Sequence, residues 1–299
     1  MYDIIIIGGG PAGLTSAIYG RRANKKVLVL EANSCGGQIL TTDKVDNYPG
    51  FSHITGFDFS NNLYNQVIEL GADVNFEKAI DLVVDNPFVV VTEKNKYQAK
   101  SVILALGVRN KKLSIENEDK FLGKGISYCA TCDGNFFKGK TVAVNGGGNT
   151  AVMDALYLSN ICKKVYLIHR RDEFKCEDNS INLLKEKENV EFILNSTILI
   201  INGTDKLSSI DIKTKDDIKT IDVDGLFIAI GQIPENNNIT NKIDLDEKGY
   251  ITSNEECETN IKGVFVAGDI RTKSLRQLTT ATADGSVAAT KAIKYISSL

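Results

Sequence analysis

The sequence predicts an α/β fold of two doubly wound, three-layer domains. A short apolar strand, a glycine-rich turn, a helix and a second apolar strand open the chain, and the same order returns 138 residues later without a gap. Strands that alternate with helices in this way build a parallel sheet covered on both faces. At 299 residues, 42% hydrophobic and 24% charged, the chain has room for two such cores.

In the first copy "YDIIII" (2–7) reads as a buried strand, "GGGPAG" (8–13) as the turn, "LTSAIYGRRA" (14–23) as the helix and "KVLVLE" (26–31) as the second strand. Gly8 permits a tight turn, Gly10 lets the backbone approach a pyrophosphate, and Gly13 lets helix and strand pack closely. Pro11 and Ala12 open the helix, whose N-terminal amides are the positive end that phosphates seek. Glu31 closes the second strand where an acid accepts a bond from a ribose 2′-hydroxyl. Arg21, Arg22, Lys25 and Lys26 complement the negative end of the helix and need no ligand.

The second copy, "TVAVNGGGNTAVMDALYLSNICKKVYLIHRR" (141–171), places Gly146 on Gly8, Gly148 on Gly10, Ala151 on Gly13 and Val165 on Val27, with Asn149 and Thr150 opening the helix. Both copies therefore read as Rossmann-like nucleotide-binding domains. His169 falls on Glu31, followed by Arg170 and Arg171, with Lys175 expected one helical turn further on. A carboxylate accepts a bare ribose and repels a 2′-phosphate, and a guanidinium cluster does the reverse. The two sites are thus expected to hold different cofactors, FAD in the first and NADPH in the second.

Between the copies lies "ISYCATCDGNFF" (126–137), with Cys129 and Cys132 two residues apart. That spacing suits half a zinc site, a structural bridge or a redox dithiol. Zinc needs four ligands, yet there is no second Cys-x-x-Cys and the only histidines are His53 and His169; no metal is expected. A permanent bridge across so short a ring contributes little loop-closure stabilisation, which favours a cycling dithiol. Asp133, next to Cys132, is the local candidate for general acid and base, against the plainer role of capping a turn before Gly134.

A net charge of −3 with scattered basic residues leaves no footprint for nucleic acid. No apolar run approaches the roughly 20 residues that cross a bilayer, and Asp3 stands where a basic leader would begin. Cys35, Cys162, Cys176 and Cys257 suggest no disulfide framework, so a cytoplasmic setting is expected.

In order, "GGGPAG", "GGQI" (36–39), "DNYPG" (46–50), "CATCDG" (129–134), "GGGNTA" (146–151), "HRRDEF" (169–174) and "VFVAGD" (264–269) span the chain. This combination resembles the low-molecular-weight, bacterial-type thioredoxin reductases of the FAD-dependent pyridine nucleotide-disulfide oxidoreductases. The resemblance implies an FAD-binding domain of residues 1–111 and 239–299, with the NADPH-binding domain, 112–238, inserted into it and carrying the dithiol. "VFVAGD" and the helix-like "RQLTTATADGSVAA" (276–289) support that split independently. The likeness also implies that Asp269 holds the ribityl chain, that Arg276, Gln277 and Leu278 lie near the flavin ring, and that Gly36, Gly37, Gln38 and Asn47 complete the site. Electrons would pass from NADPH through FAD to the disulfide by way of Cys132, and Cys129 would attack the disulfide of thioredoxin. A homodimer, and a swivel of the inserted domain about "GVRNKK" (107–112) and "QIPENN" (232–237), are implied with it.

Two positions depart from the family pattern, Lys175 for an arginine and Cys176 for a small residue. Lysine keeps the charge and loses the planar fork, so NADH is expected to compete better. Some relatives lack the nucleotide motifs and use ferredoxin as donor; "GGGNTA" and both arginines favour NADPH here. The reductase half of an alkyl hydroperoxide system normally carries an extra N-terminal redox domain, and glutathione reductase relatives place their cysteines soon after the first glycine motif. A non-catalytic, nucleotide-sensing flavoprotein would be marked by a lost Cys-x-x-Cys, and this chain keeps it.

Overall fold

The computed structural model describes residues 1–42, 44–176, 178–215, 217–236 and 238–299. Asn237, the end of the second expected linker, lies outside the described residues. Two compact units divide the chain, Met1–Arg109 with Ile233–Leu299, and Asn110–Gln232. The edges differ from the expected division because Glu235 N donates to Gly107 O at 3.1 Å and Ile239 packs into the apolar core around Ile5 and Leu104, which keeps Ile233, Pro234 and Glu235 with the first unit. The crossings themselves, Val108–Asn110 and Gln232–Pro234, pair as a two-stranded ribbon.

In the first unit five parallel strands run in the order Asp73–Phe76, Val27–Glu31, Tyr2–Ile7, Lys96–Leu104, Val264–Val266. Tyr2–Ile7 sits centrally because four consecutive isoleucines are buried on both faces, as a covered parallel strand requires. An antiparallel meander, Ala79–Val83, Phe88–Thr92 and the start of Lys96–Leu104, extends the same sheet. Helices Pro11–Arg22 and Leu278–Ile296 cover one face. They approach closely because the contact is lined with Ala281, Gly285, Ala288 and Ala292; a Cβ on Gly285 would stand 2.3 Å from the Ala12 carbonyl oxygen.

The second unit repeats this plan. Its five parallel strands run Val190–Ile193, Lys164–Ile168, Thr141–Asn145, Gly225–Ile228, Ile126–Ser127, beside an antiparallel meander of Thr197–Gly203, Leu207–Lys213 and Ile218–Asp222. The internal repeat extends to strand register: Ile4 pairs Val27 and Ile7 pairs Leu30, and, 138 residues on, Val142 pairs Val165 and Asn145 pairs Ile168. Helix Asn149–Ser159 follows the turn as Pro11–Arg22 does in the first copy. In each sheet the first strand of the repeat lies between its partner and the next crossover strand, so its C-terminal end opens on the switch-point crevice where such folds bind ligands. Both copies are Rossmann-like three-layer folds.

Candidate active site

In the first unit the turn is fixed by contacts that only glycine allows. Gly8 takes φ +110°, and a Cβ there would stand 2.2 Å from the Ala105 carbonyl oxygen. On Gly13 it would stand 1.9 Å from the Gly8 oxygen, whereas Gly10 faces open space. Gly10 caps helix Pro11–Arg22 without any side-chain acceptor, so the amides of Ala12 and Gly13 leave the positive helix end open to an anion. Glu31 braces the turn: Oε2 accepts from Gly9 N at 2.7 Å and Oε1 from Asn33 N at 2.9 Å. Each oxygen keeps a lone pair for a further donor.

Around the same crevice, Gly36 is buried with φ +122° and donates to Gly9 O, and Gly37 is exposed with φ +60°. Gln38 Nε2 donates to Val108 O. Asn47 Nδ2 donates to Gln277 Oε1 at 3.2 Å, and Gln277 caps the last helix, which Leu278 begins. Arg276 is committed to the chain: it lies 3.9 Å over the Tyr250 ring and donates to the carbonyls of Asp269, Arg271 and Lys273. Asp269 Oδ1 is buried without a hydrogen-bond partner, and burial holds its carboxyl above the usual range, opposed by Lys273 and Arg276. A buried acceptor in that state is matched to a donor from a bound molecule.

The second crib is similar in its turn and different at its basic end. A Cβ on Gly146 would stand 2.4 Å from the Ala229 oxygen and 2.7 Å from the Ala151 Cβ, and Gly148 caps its helix with no side-chain acceptor. Asn149 and Thr150 are exposed at the helix start. His169 is not presented as a cation: it is buried, stacked on Phe174, paired through Nε2 with Glu173 O at 3.1 Å, and held below the ordinary histidine range chiefly by burial. Arg170, Arg171 and Lys175 are exposed. Lys175 lies on no helical turn, a correction to the sequence expectation. Its amide donates to Gly147 O at 2.7 Å, and the Phe174 stack folds the intervening residues into bends that return Lys175 to the glycine loop.

Cys129 and Cys132 are joined as a disulfide, with Cα atoms 5.3 Å apart, Cys129 as the N-cap of the short helix Ala130–Asp133 and Cys132 within it. Asp133 Oδ2 accepts from the buried Ser127 hydroxyl at 2.6 Å, and the Ser127 oxygen accepts from Cys129 N at 3.0 Å. Sequence reasoning missed Ser127, since nothing in the local pattern marks a serine at a strand end as a brace. The thiols of Cys35, Cys162 and Cys257 are pushed up to about 12, 11 and 11, in each case chiefly by burial, which makes them poor nucleophiles. Among the described residues no group of three or more His, Cys, Asp or Glu could hold a metal ion.

Anion-ready cribs in both halves, with a bonded Cys-x-x-Cys in the second, place the chain among enzymes that move electrons between dinucleotides and disulfides. Residues 2–285 match the family described as pyridine nucleotide-disulphide oxidoreductase. The chain is 44% identical over 296 residues to the thioredoxin reductase of Mycoplasma genitalium, covering 97% of this chain and 94% of the relative. With that of Bacillus subtilis the identity is 40% over 309 residues, covering 100% and 96%. The solved thioredoxin reductase of Streptococcus pyogenes superposes with a TM-score of 0.94 at 34% identity, covering 100% of this chain and 99% of that one. The chain belongs to the pyridine nucleotide-disulphide oxidoreductase family, and within it to the thioredoxin reductases.

Proposed function

We propose that this protein reduces the disulfide of thioredoxin with electrons from NADPH, through FAD and the Cys129–Cys132 pair. The observation that carries the reading is that disulfide, with Asp133 and Ser127 behind it, in the same unit as a crib whose outer edge is basic. FAD is assigned to the first unit, Met1–Arg109 with Ile233–Leu299, and NADPH to the second, Asn110–Gln232.

The residues fit these groups. The open helix end at Gly10 suits a pyrophosphate, the Glu31 oxygens suit ribose hydroxyls, and the unpaired Asp269 Oδ1 suits a hydroxyl of the ribityl chain. In the second crib Gly148 to Ala151 offer uncapped amides, and Arg170, Arg171 and Lys175 offer cations for a 2′-phosphate. When bound, the two cofactors would supply the hydride chemistry that no side chain here can.

The chain's own residues handle sulfur and protons. Two electrons and two protons convert the Cys129–Cys132 disulfide to a dithiol, with Asp133 carrying a proton to and from the Cys132 sulfur. Cys129, giving up its proton to the leaving sulfur, then attacks one sulfur of the substrate disulfide and expels the other as a thiol. Attack by Cys132 on the Cys129 sulfur breaks this mixed disulfide, re-forms the internal bond and releases the second substrate thiol. Ser127 holds Asp133 and the Cys129 backbone in one hydrogen-bonded set.

The protein is further read as a cytoplasmic homodimer. In support, no described helix is long and apolar enough to cross a membrane, and the family pattern supplies the dimer. Anaerobic titration of the yellow protein with NADPH, NADH and reduced ferredoxin tests the donor: NADPH should bleach the flavin, and bleaching by ferredoxin alone would reassign it. Cys129→Ser should abolish thioredoxin reduction and leave flavin reduction by NADPH intact; equal loss of both contradicts the order of transfer.

A further inference from the structure

The last helix carries one acid on its otherwise alanine-rich inner segment, and that acid organises the loop around Asp269. Asp284 Oδ2 accepts from Gly268 N at 3.0 Å and from Lys273 Nζ at 2.7 Å, and Oδ1 accepts from Arg271 Nη1 at 3.2 Å. Arg271 is otherwise spent on Ser253 Oγ and Asn254 O. Lys273 is almost as hidden, its side chain 7% exposed, and its ammonium stands between two carboxylates, 2.7 Å from Asp284 and 4.0 Å from Asp269 Oδ1.

Two cations and two carboxylates are thus gathered under one turn, and the pairing is unequal. Asp284 holds both cations at hydrogen-bond distance, and Asp269 keeps an oxygen with no donor. The next residue, Gly285, seats the helix against Ala12 of the first glycine turn, and Ser16 Oγ donates to Gly285 O at 3.0 Å. Asp284 therefore sits where the last helix, the first helix and the Gly268–Asp269 turn meet.

We propose that Asp284 is a positioning residue of the flavin site: by holding Lys273 it keeps the ammonium off Asp269, which stays free to accept a hydroxyl from the cofactor. The inference rests on the assignment of FAD to this unit. Without the Asp284 charge, the nearest carboxylate left to a buried lysine is Asp269, and an ammonium that pairs with it removes the acceptor. A buried ammonium without any partner is the costlier alternative.

The test measures FAD affinity of the stripped protein by fluorescence quenching. Asp284→Asn should weaken FAD by about tenfold, the worth of one charged hydrogen bond. Lys273→Met alone should change affinity by less than about threefold, and adding Lys273→Met to Asp284→Asn should restore most of the loss, a sign that the two residues are coupled through Asp269. Melting of the cofactor-free variants is followed in parallel. A role confined to holding the fold would lower the melting point further in the double variant and restore no affinity, which overturns the proposal. An unmodified protein that binds no FAD overturns the assignment beneath it instead.

Discussion

Gly147 is a position where a single methyl group should disturb both stability and nucleotide binding. Its backbone is unstrained, and the constraint is purely steric: a Cβ there would stand 2.1–2.3 Å from three atoms of the His169 ring. The ring has little room to retreat, being stacked on Phe174 with centroids 5.2 Å apart, while Phe174 meets Phe192 edge-on at 5.9 Å. Overpacking of this kind costs about 1–3 kcal/mol. At roughly 3 °C per kcal/mol for a domain of this size, Gly147→Ala should lower the melting of the second unit by about 3–9 °C. Binding of 2′,5′-ADP should weaken with it, because the amide of Lys175 hangs from the Gly147 carbonyl. The assay is calorimetric melting and titration, each repeated in a His169→Ala background, where the ring is gone. There the Gly147→Ala step should cost less than about 0.5 kcal/mol, since the two changes share one contact. The same cost in both backgrounds would refute the steric reasoning.

Because burial holds His169 below the ordinary range, the unfolded chain binds its proton first. Stability of the second unit is therefore full above about pH 6.5 and falls as the pH drops below it, and His169→Gln should flatten that decline in melting curves taken from pH 7.5 to 5.5. Asp154 has the opposite sign: burial raises it to about 7, so the fold is penalised as the pH rises from roughly 4 towards 7. Asp154→Asn should raise the melting point at pH 8 and leave it unchanged at pH 4; a pH-independent gain would count against the assignment. The Glu118 carboxylate accepts from Leu113 N, Ser114 N and the Tyr128 hydroxyl, and Glu118→Ala should cost about 2–4 kcal/mol in urea denaturation by leaving those donors unpaired. A loss under about 1 kcal/mol would show that water replaces the carboxylate at that site.

What the sequence made legible was whatever depends on local period and spacing. The offset of 138 residues carried through to strand register, since one apolar strand and one glycine turn leave a single way to pair the next strand. Lys175 was misplaced because "RRDEFK" has ordinary helical composition, and only the burial of His169 and Phe174 bends it back to Gly147. Ser127 and Asp284 escaped for a related reason. Each is a polar residue whose partners are set by tertiary folding, and the partners of Asp284 lie 11 to 16 positions earlier in the chain. One clue to Asp284 was available: a lone acid in "ATADGSVAA" is costly to bury unless something answers it.

The ribbon formed by Val108–Asn110 and Gln232–Pro234 has a bearing on how such a chain can be taken apart. Paired strands lie about 5 Å from each other, so the inner segment leaves its host through a gap no wider than a hairpin. A short turn joining Arg109 to Ile233 could then seal the host, because closing a loop of a few residues costs far less than closing one of a hundred. Excised between those points, each half keeps every strand of its own parallel sheet. The molecule is thus open to being handled as two transplantable cassettes, with the cut site already drawn by its own backbone.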